Sequence, residues 1–195
     1  MPSYTGINHL VFATSDIEET IRFWRDLLGL RLLLGAGRPG FRHYFFRVSD
    51  TDMIGFFEWP EVEKIPERDH GVPVRGPLAF DHVSLDTASV EDLWQLYDSL
   101  DAAGFWVSEI IDHGFILSLY SFDPNNIPIE FSTDSEVDIR AEPRLLDRQP
   151  PPAALEGPDP VPGIWPAVRE PTPQEDRRTY PGEILFQLKK EKRSF

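Results

Sequence analysis

The sequence predicts an α+β fold made of two βαβββ modules followed by a proline-rich C-terminal tail. Three observations predict it. Strand-like alternation and helical stripes follow one another in the same order twice. The two runs overlay residue on residue, with His9 falling on His82 at an offset of 73. After Ser132 the periodicity is lost, and eleven of the nineteen prolines lie between Pro143 and Pro181.

In the first module, Gly6 to Thr14 alternates as a strand, with Leu10 and Phe12 on one face and His9 and Val11 on the other. Ser15-Asp16-Ile17-Glu18 resembles a capping box, and Ile17, Ile21, Trp24 and Leu28 form one helical stripe that ends at Gly29. Strand-like runs follow at Leu30 to Leu34, Phe41 to Val48 and Met53 to Trp59, separated by turn-forming stretches at 35–40 and 49–52.

Residues 61–77 are charged and proline-bearing and suit a linker, in which His70 reads as a surface histidine. In the second module, Leu78 to Asp86 is a strand carrying His82, and Ser89 caps a helix with Val90, Leu93, Trp94, Tyr97 and Leu100 apolar, ending by Gly104. Strands are predicted at Phe105 to Ile111, Phe115 to Phe122 and Ile127 to Phe131, the last two joined by the turn Asp123-Pro124-Asn125-Asn126. The chain thus divides into 1–60, 61–77, 78–132 and a tail, 133–195. The tail reads either as extended and solvated, or as a strap across a second subunit that uses Ile164, Trp165, Tyr180, Ile184, Leu185 and Phe186. The second alternative implies a homodimer.

A formal net charge of −14 argues against nucleic acid or an anionic membrane as partner, because both require a basic surface. With no cysteine, thiol catalysis, disulfides and thiolate metal sites are excluded, so a metal would be held by His and carboxylate. Neither a leader nor a membrane-spanning run is present, which makes the cytoplasm the expected location.

The repeat suggests a constellation. Each half offers a histidine on its first strand and a glutamate on its fourth: His9 with Glu58, and His82 with Glu130, the glutamates at an offset of 72. Halves packed about a pseudo-twofold axis would aim these four groups into one concave space.

On these residues the chain resembles the vicinal oxygen chelate superfamily, whose paired βαβββ modules build a cupped mixed sheet around a divalent metal. The resemblance covers residues 6–132. Asp112-His113-Gly114, Leu119-Tyr120, Asp123-Pro124 and Glu130 are similar to the signature of type I extradiol ring-cleavage dioxygenases, with Asn126 standing where that signature has Gly or Pro.

The resemblance implies His9, His82 and Glu130 as metal ligands and His113 and Tyr120 as catalytic groups beside the substrate. It further implies a bound divalent metal, Fe(II) first and Mn, Zn or Ni as substitutes, and a catechol-like diol as substrate. An acid/base histidine is also expected, for which His43 and His70 are candidates, and Phe45, Phe56 and Phe115 are candidate walls for the ring. Glu58 divides the readings. As a possible fourth ligand it would point to glyoxalase or epimerase chemistry through an enediolate; otherwise ring cleavage stands. A metal-free binding protein of the bleomycin-resistance kind is the third reading.

Overall fold

A computed structural model describes residues 5–75 and 80–190. Contacts divide the chain into two compact units, Met1–Val137 and Asp138–Phe195. The first unit holds two four-stranded sheets of the same design. Strands β1 (His9–Thr14), β2 (Arg31–Arg38), β3 (Phe41–Arg47) and β4 (Met53–Glu58) lie in the order β1-β4-β3-β2. Strands β5 (Val83–Asp86), β6 (Ile111–Asp112), β7 (Ile116–Phe122) and β8 (Pro128–Asp134) lie in the order β5-β8-β7-β6. In each sheet the first strand pairs in parallel with the fourth, and the remaining pairings are antiparallel. This is the α+β arrangement of paired βαβββ modules.

Helix α1 (Ile17–Ile21) starts where Asp16 accepts a hydrogen bond from the Glu19 amide, and it runs on as a π-helical stretch, Arg22–Leu27. Gly29, at φ 75°, ends it in a conformation that costs glycine little. Helix α2 (Val90–Ala102) is capped by Ser89, whose side chain accepts from the Asp92 amide. The inner sheet faces and both helices share one core. Trp24 from the π-helical continuation of α1, Phe46, Ile54 and Phe56 from the first sheet, Leu93 and Leu100 from α2, and Leu119, Ile129 and Phe131 from the second are all essentially inaccessible.

Two polar contacts tie α1 to the second module across this core. Trp24 Nε1 donates to Asp123 Oδ2 at 3.3 Å, and Asn125 Nδ2 donates to Thr20 Oγ1 at 3.4 Å. Burial pushes the Asp123 carboxyl pKa up, and hydrogen bonds from Asn125, Ile127 and Trp24 oppose it. Asp123 therefore fixes the β7–β8 turn. Asn126 in that turn has φ 63°, a left-handed conformation asparagine tolerates, and its Nδ2 donates to the Ile65 carbonyl at 2.8 Å.

Several predicted elements differ. The strand expected over Phe105 to Ile111 is reduced to an isolated bridge between Val107 and Ser121 and the two-residue β6. β2 extends through the expected turn at 35–38, so the hairpin tightens to Pro39 and Gly40. The start of the expected strand from Leu78 lies outside the described residues, and β5 begins at Val83.

The second unit contains 3₁₀ turns at Pro152–Glu156 and Gln174–Asp176 and a helix, α3 (Glu183–Lys190), that the sequence reading did not foresee. None of its described residues is buried. Among the described residues no helix is long and apolar enough to cross a membrane.

Candidate metal centre

Strand alternation decides which side chains can meet. In the second sheet Ser84 pairs with Glu130 and Tyr120 pairs with Glu130, so these three share the face away from the core, while Val83, Leu119 and Ile129 face inward. His82, two residues before Ser84, falls on the Glu130 side. Its Nε2 lies 3.1 Å from Glu130 Oε2. Glu130 is 4% exposed, on a strand with neighbours on both sides.

Three further groups surround this pair. Tyr120 Oη donates to Glu130 Oε1 at 3.0 Å, and His113 Nε2 lies 2.9 Å from the same hydroxyl. Burial, then the bond to Glu130, raises the tyrosine pKa to about 12. Burial likewise acts to raise the Glu130 pKa, but the facing Ser118, Ser84 and Tyr120 hydroxyls and His82 outweigh it and leave the carboxyl lowered. Asp81 Oδ1 sits 2.7 Å from His82 Nδ1 and is held to about 2, first by that contact and then by the Gly71 amide.

Asp81 is the group that sequence reasoning missed, and it brings in His70, expected either as a surface histidine of the linker or as an acid/base candidate. The Asp81 carboxylate accepts from the Gly71 amide at 3.0 Å and from Arg68 at 3.3 Å, which folds the 68–71 loop back over the second sheet. His70 is thereby laid against Tyr120 (4.6 Å between ring centroids), Phe122 (5.1 Å) and His82 (5.8 Å), and it stacks toward Trp106 at 6.4 Å. Its Nε2 is buried without a hydrogen-bond partner. Burial, then His82, lowers its pKa, so the expectation of a plain surface histidine is corrected. A signal was available in Asp81, a carboxylate directly before a candidate ligand.

His9 stands elsewhere. It shares a sheet face with Val11, Gly55 and Phe45, meets Phe45 edge-on at 5.5 Å, and contacts Asn8 Oδ1 through Nδ1 at 2.7 Å. Among the described residues no three His, Asp or Glu side chains gather closely enough to hold one ion. The expectation that His9, His82 and Glu130 converge within a single chain is therefore corrected: two of the three meet.

Glu58 differs more sharply. It pairs with Thr14 and Arg42, on the face opposite His9, and Arg42 Nη1 bridges its two oxygens at 2.8 and 2.9 Å. The overlay of Glu58 on Glu130 is corrected by register. With His9 laid on His82, Val11 falls on Ser84, and their partners are Gly55 and Glu130. The counterpart of Glu130 is thus Gly55, an offset of 75 rather than 72. Of the aromatic candidates, Phe45 lies on the His9 face, Phe56 is core, packed on Trp24 at 5.5 Å, and Phe115 is half-buried just before β7.

The donor chemistry at His82 and Glu130 fits a divalent cation. An imidazole that donates Nδ1–H to Asp81 presents only a lone pair at Nε2 toward the Glu130 carboxylate, which a shared cation would reconcile. Two cis ligands bound at about 2.1 Å stand about 3.0 Å apart, close to the spacing of this pair. The site within one chain supplies two donors, one short of a facial triad.

A sequence model of the Glyoxalase/Bleomycin resistance protein/Dioxygenase superfamily matches residues 6–131. The chain belongs to this superfamily. Its members are mostly metal-dependent enzymes that act on small molecules and bind divalent metals.

Relatives at low identity span several activities. Metallothiol transferase FosB of Staphylococcus haemolyticus is 24% identical over 125 residues, covering 47% of this chain and 90% of the relative. Biphenyl-2,3-diol 1,2-dioxygenase of Paraburkholderia xenovorans is 24% identical over 138 residues, 65% of this chain but 40% of that longer protein. Lactoylglutathione lyase of Haemophilus influenzae is 23% identical, covering 64% and 90%. Among solved structures, a glyoxylase/bleomycin resistance protein/dioxygenase domain from Frankia sp. EAN1pec aligns over 68% of this chain and 100% of its own, with a TM-score of 0.57 at 20% identity. FosX from Mesorhizobium loti aligns over 72% and 100% with a TM-score of 0.53 at 17% identity. These likenesses show the shared fold.

Proposed function

We propose that the chain is a metal-dependent oxidoreductase of the extradiol type, which opens the ring of a catechol-like vicinal diol with O2. The observation that best supports this is the hydrogen-bonded run from His113 through Tyr120 to Glu130, with His70 packed on Tyr120. His82 and Glu130, completed by His9 of a second copy, would hold the metal, Fe(II) by donor type. When bound, that ion supplies redox chemistry and makes a coordinated hydroxyl more acidic.

The chain's own residues do the remainder. Tyr120, its pKa raised to about 12, stays protonated at neutral pH and orients an oxygen of the substrate. His70, its pKa lowered by burial, is neutral there and can take a proton from the diol. His113, exposed at the turn before β7, can pass a proton between the Tyr120 hydroxyl and solvent. Trp106 and Phe122, 5.5 Å apart, offer the ring an apolar wall.

Enediolate chemistry of the glyoxalase or epimerase kind would need a fourth donor. The pairing of Glu58 with Arg42 on the opposite sheet face supports the three-donor reading instead. A homodimer follows from the same count of donors. The exposed apolar side chains Leu146, Trp165, Val168 and Tyr180 of the second unit support a segment that packs on another surface, for which a second copy of this chain is the partner we assign.

Fe(II) loading without oxygen, then O2 electrode measurements with a panel of catechols, tests the reading. Catechol-dependent uptake with a coloured ring-opened product is expected, falling roughly a hundredfold or more in Glu130→Ala. Turnover of a thiol adduct or hemithioacetal without O2 uptake would replace ring cleavage with transferase or lyase chemistry.

A further inference from the structure

The register places Gly55 where the second sheet has Glu130. Among the described residues the side chains nearest above it are those of Phe45 and His43. A Cβ built on Gly55 would lie 3.0 Å from Phe45 Cε1 and 3.3 Å from His43 Nε2. His43 reaches this space from β3, pairing with Phe57, so it shares the face of His9, Gly55 and Phe45. Its ring stacks on Phe57 at 3.8 Å and 19°, and lies 4.2 Å from Phe45, which in turn meets the edge of His9.

His43 is 9% exposed, and its Nε2 is buried with no hydrogen-bond partner. An aromatic hydrocarbon would complete the row of rings from Trp59 through Phe57 to Phe45 without burying an unanswered polar atom. A buried nitrogen so kept, over a glycine and on the face of a candidate ligand, has the features of a group that awaits an oxygen from outside the chain.

We propose that His43 is a ligand-binding residue of the first-module half of the centre, its Nε2 hydrogen-bonding an oxygen of the small molecule chelated beside His9. This rests on the reading of His9 as a metal ligand. His43 thereby fills, with an imidazole from the neighbouring strand, the place that a fourth carboxylate would take at Gly55. It does not bind the metal itself.

The test uses the full chain loaded with Zn(II), a redox-inert stand-in, titrated with acetohydroxamate, which binds through two oxygens whatever the natural substrate. His43→Phe keeps the stacked ring and removes both nitrogens; it should weaken hydroxamate binding roughly tenfold and leave zinc affinity unchanged. His43→Gln, which restores a donor and an acceptor, should recover most of that loss. Phe57→Leu, which disturbs the stack without touching a polar atom, should not reproduce it.

The proposal is overturned if His43→Phe and Phe57→Leu behave alike, if hydroxamate binding is unchanged, or if zinc affinity falls as far as in His9→Ala. Absence of zinc-dependent hydroxamate binding in the wild type also overturns it. Catechol, titrated in parallel, reports separately on the diol reading: hydroxamate binding without catechol binding would remove that reading and leave the His43 result standing.

Discussion

Glu58 and Glu130 are both strand glutamates, both nearly inaccessible, and they differ in what answers their charge. Glu130 faces hydroxyls and His82, whereas Glu58 is bridged by one guanidinium nitrogen of Arg42. Glu58→Gln is therefore expected to leave metal affinity unchanged. It should lower stability by about 1–2 kcal/mol, because Arg42, about a third exposed, keeps part of its hydration when its partner is neutralised. Zinc titration and urea denaturation of one variant check both halves of this prediction. The residue types of the site could be read from the sequence: His113, Tyr120 and Glu130 lie at signature spacing, His82 is marked by the internal repeat, and the four meet in space. The side of the sheet could not. The histidine pair repeats at 73 and the two glutamates at 72, and a difference of one residue reverses a strand's faces. Only the pairing of Val11 with Gly55 and of Ser84 with Glu130 reveals that the true counterpart is a glycine.

Elements with local causes were legible, and those with distant causes were not. Asp16 and Ser89 cap helices through amides three residues on, and Gly29 and Gly104 end them at positive φ; all four are short-range effects written in adjacent residues. The 61–77 segment has the composition of a linker, and the bonds that order its described part come from outside it, from Asp81 to Gly71 and Arg68 and from Asn126 to Ile65. The expected Phe105 to Ile111 strand is legible as apolar, but the shrinkage of its pairing to Val107 and Ile111 is not, while Phe105 meets Phe23 of the α1 extension at 4.8 Å. α1 has the same kind of dependence, because its indole answers a carboxylate 99 residues away. Trp24→Phe should cost about 2–3 kcal/mol, combining a lost hydrogen bond to buried Asp123 with the space an indole leaves. The midpoint of denaturant unfolding measures it. An unchanged midpoint would mean that Asp123 is held by Asn125 and Ile127 alone.

At the scale of the whole molecule the proposed centre requires His9 to reach a His82–Glu130 pair that lies on another sheet. β1 and β5 are edge strands of separate sheets, and the core that joins the modules lies on the faces opposite these three side chains. A chain so built presents one imidazole in one place and an imidazole with a carboxylate in another. Two copies related by a twofold axis can then complete two equal centres, each with His9 from one chain and His82 and Glu130 from the other. The arrangement predicts complementation. His9→Ala and Glu130→Ala chains should each bind zinc weakly alone, since every centre lacks a donor in either homodimer. Co-expressed or refolded together, they should regain about a quarter of the wild-type sites at wild-type affinity, because half the dimers are mixed and each mixed dimer carries one intact centre. Equilibrium dialysis of the mixture gives that stoichiometry directly. A mixture that regains no tight sites would require each centre to form within one chain, by a rearrangement of the two modules that brings the His9 face over Glu130.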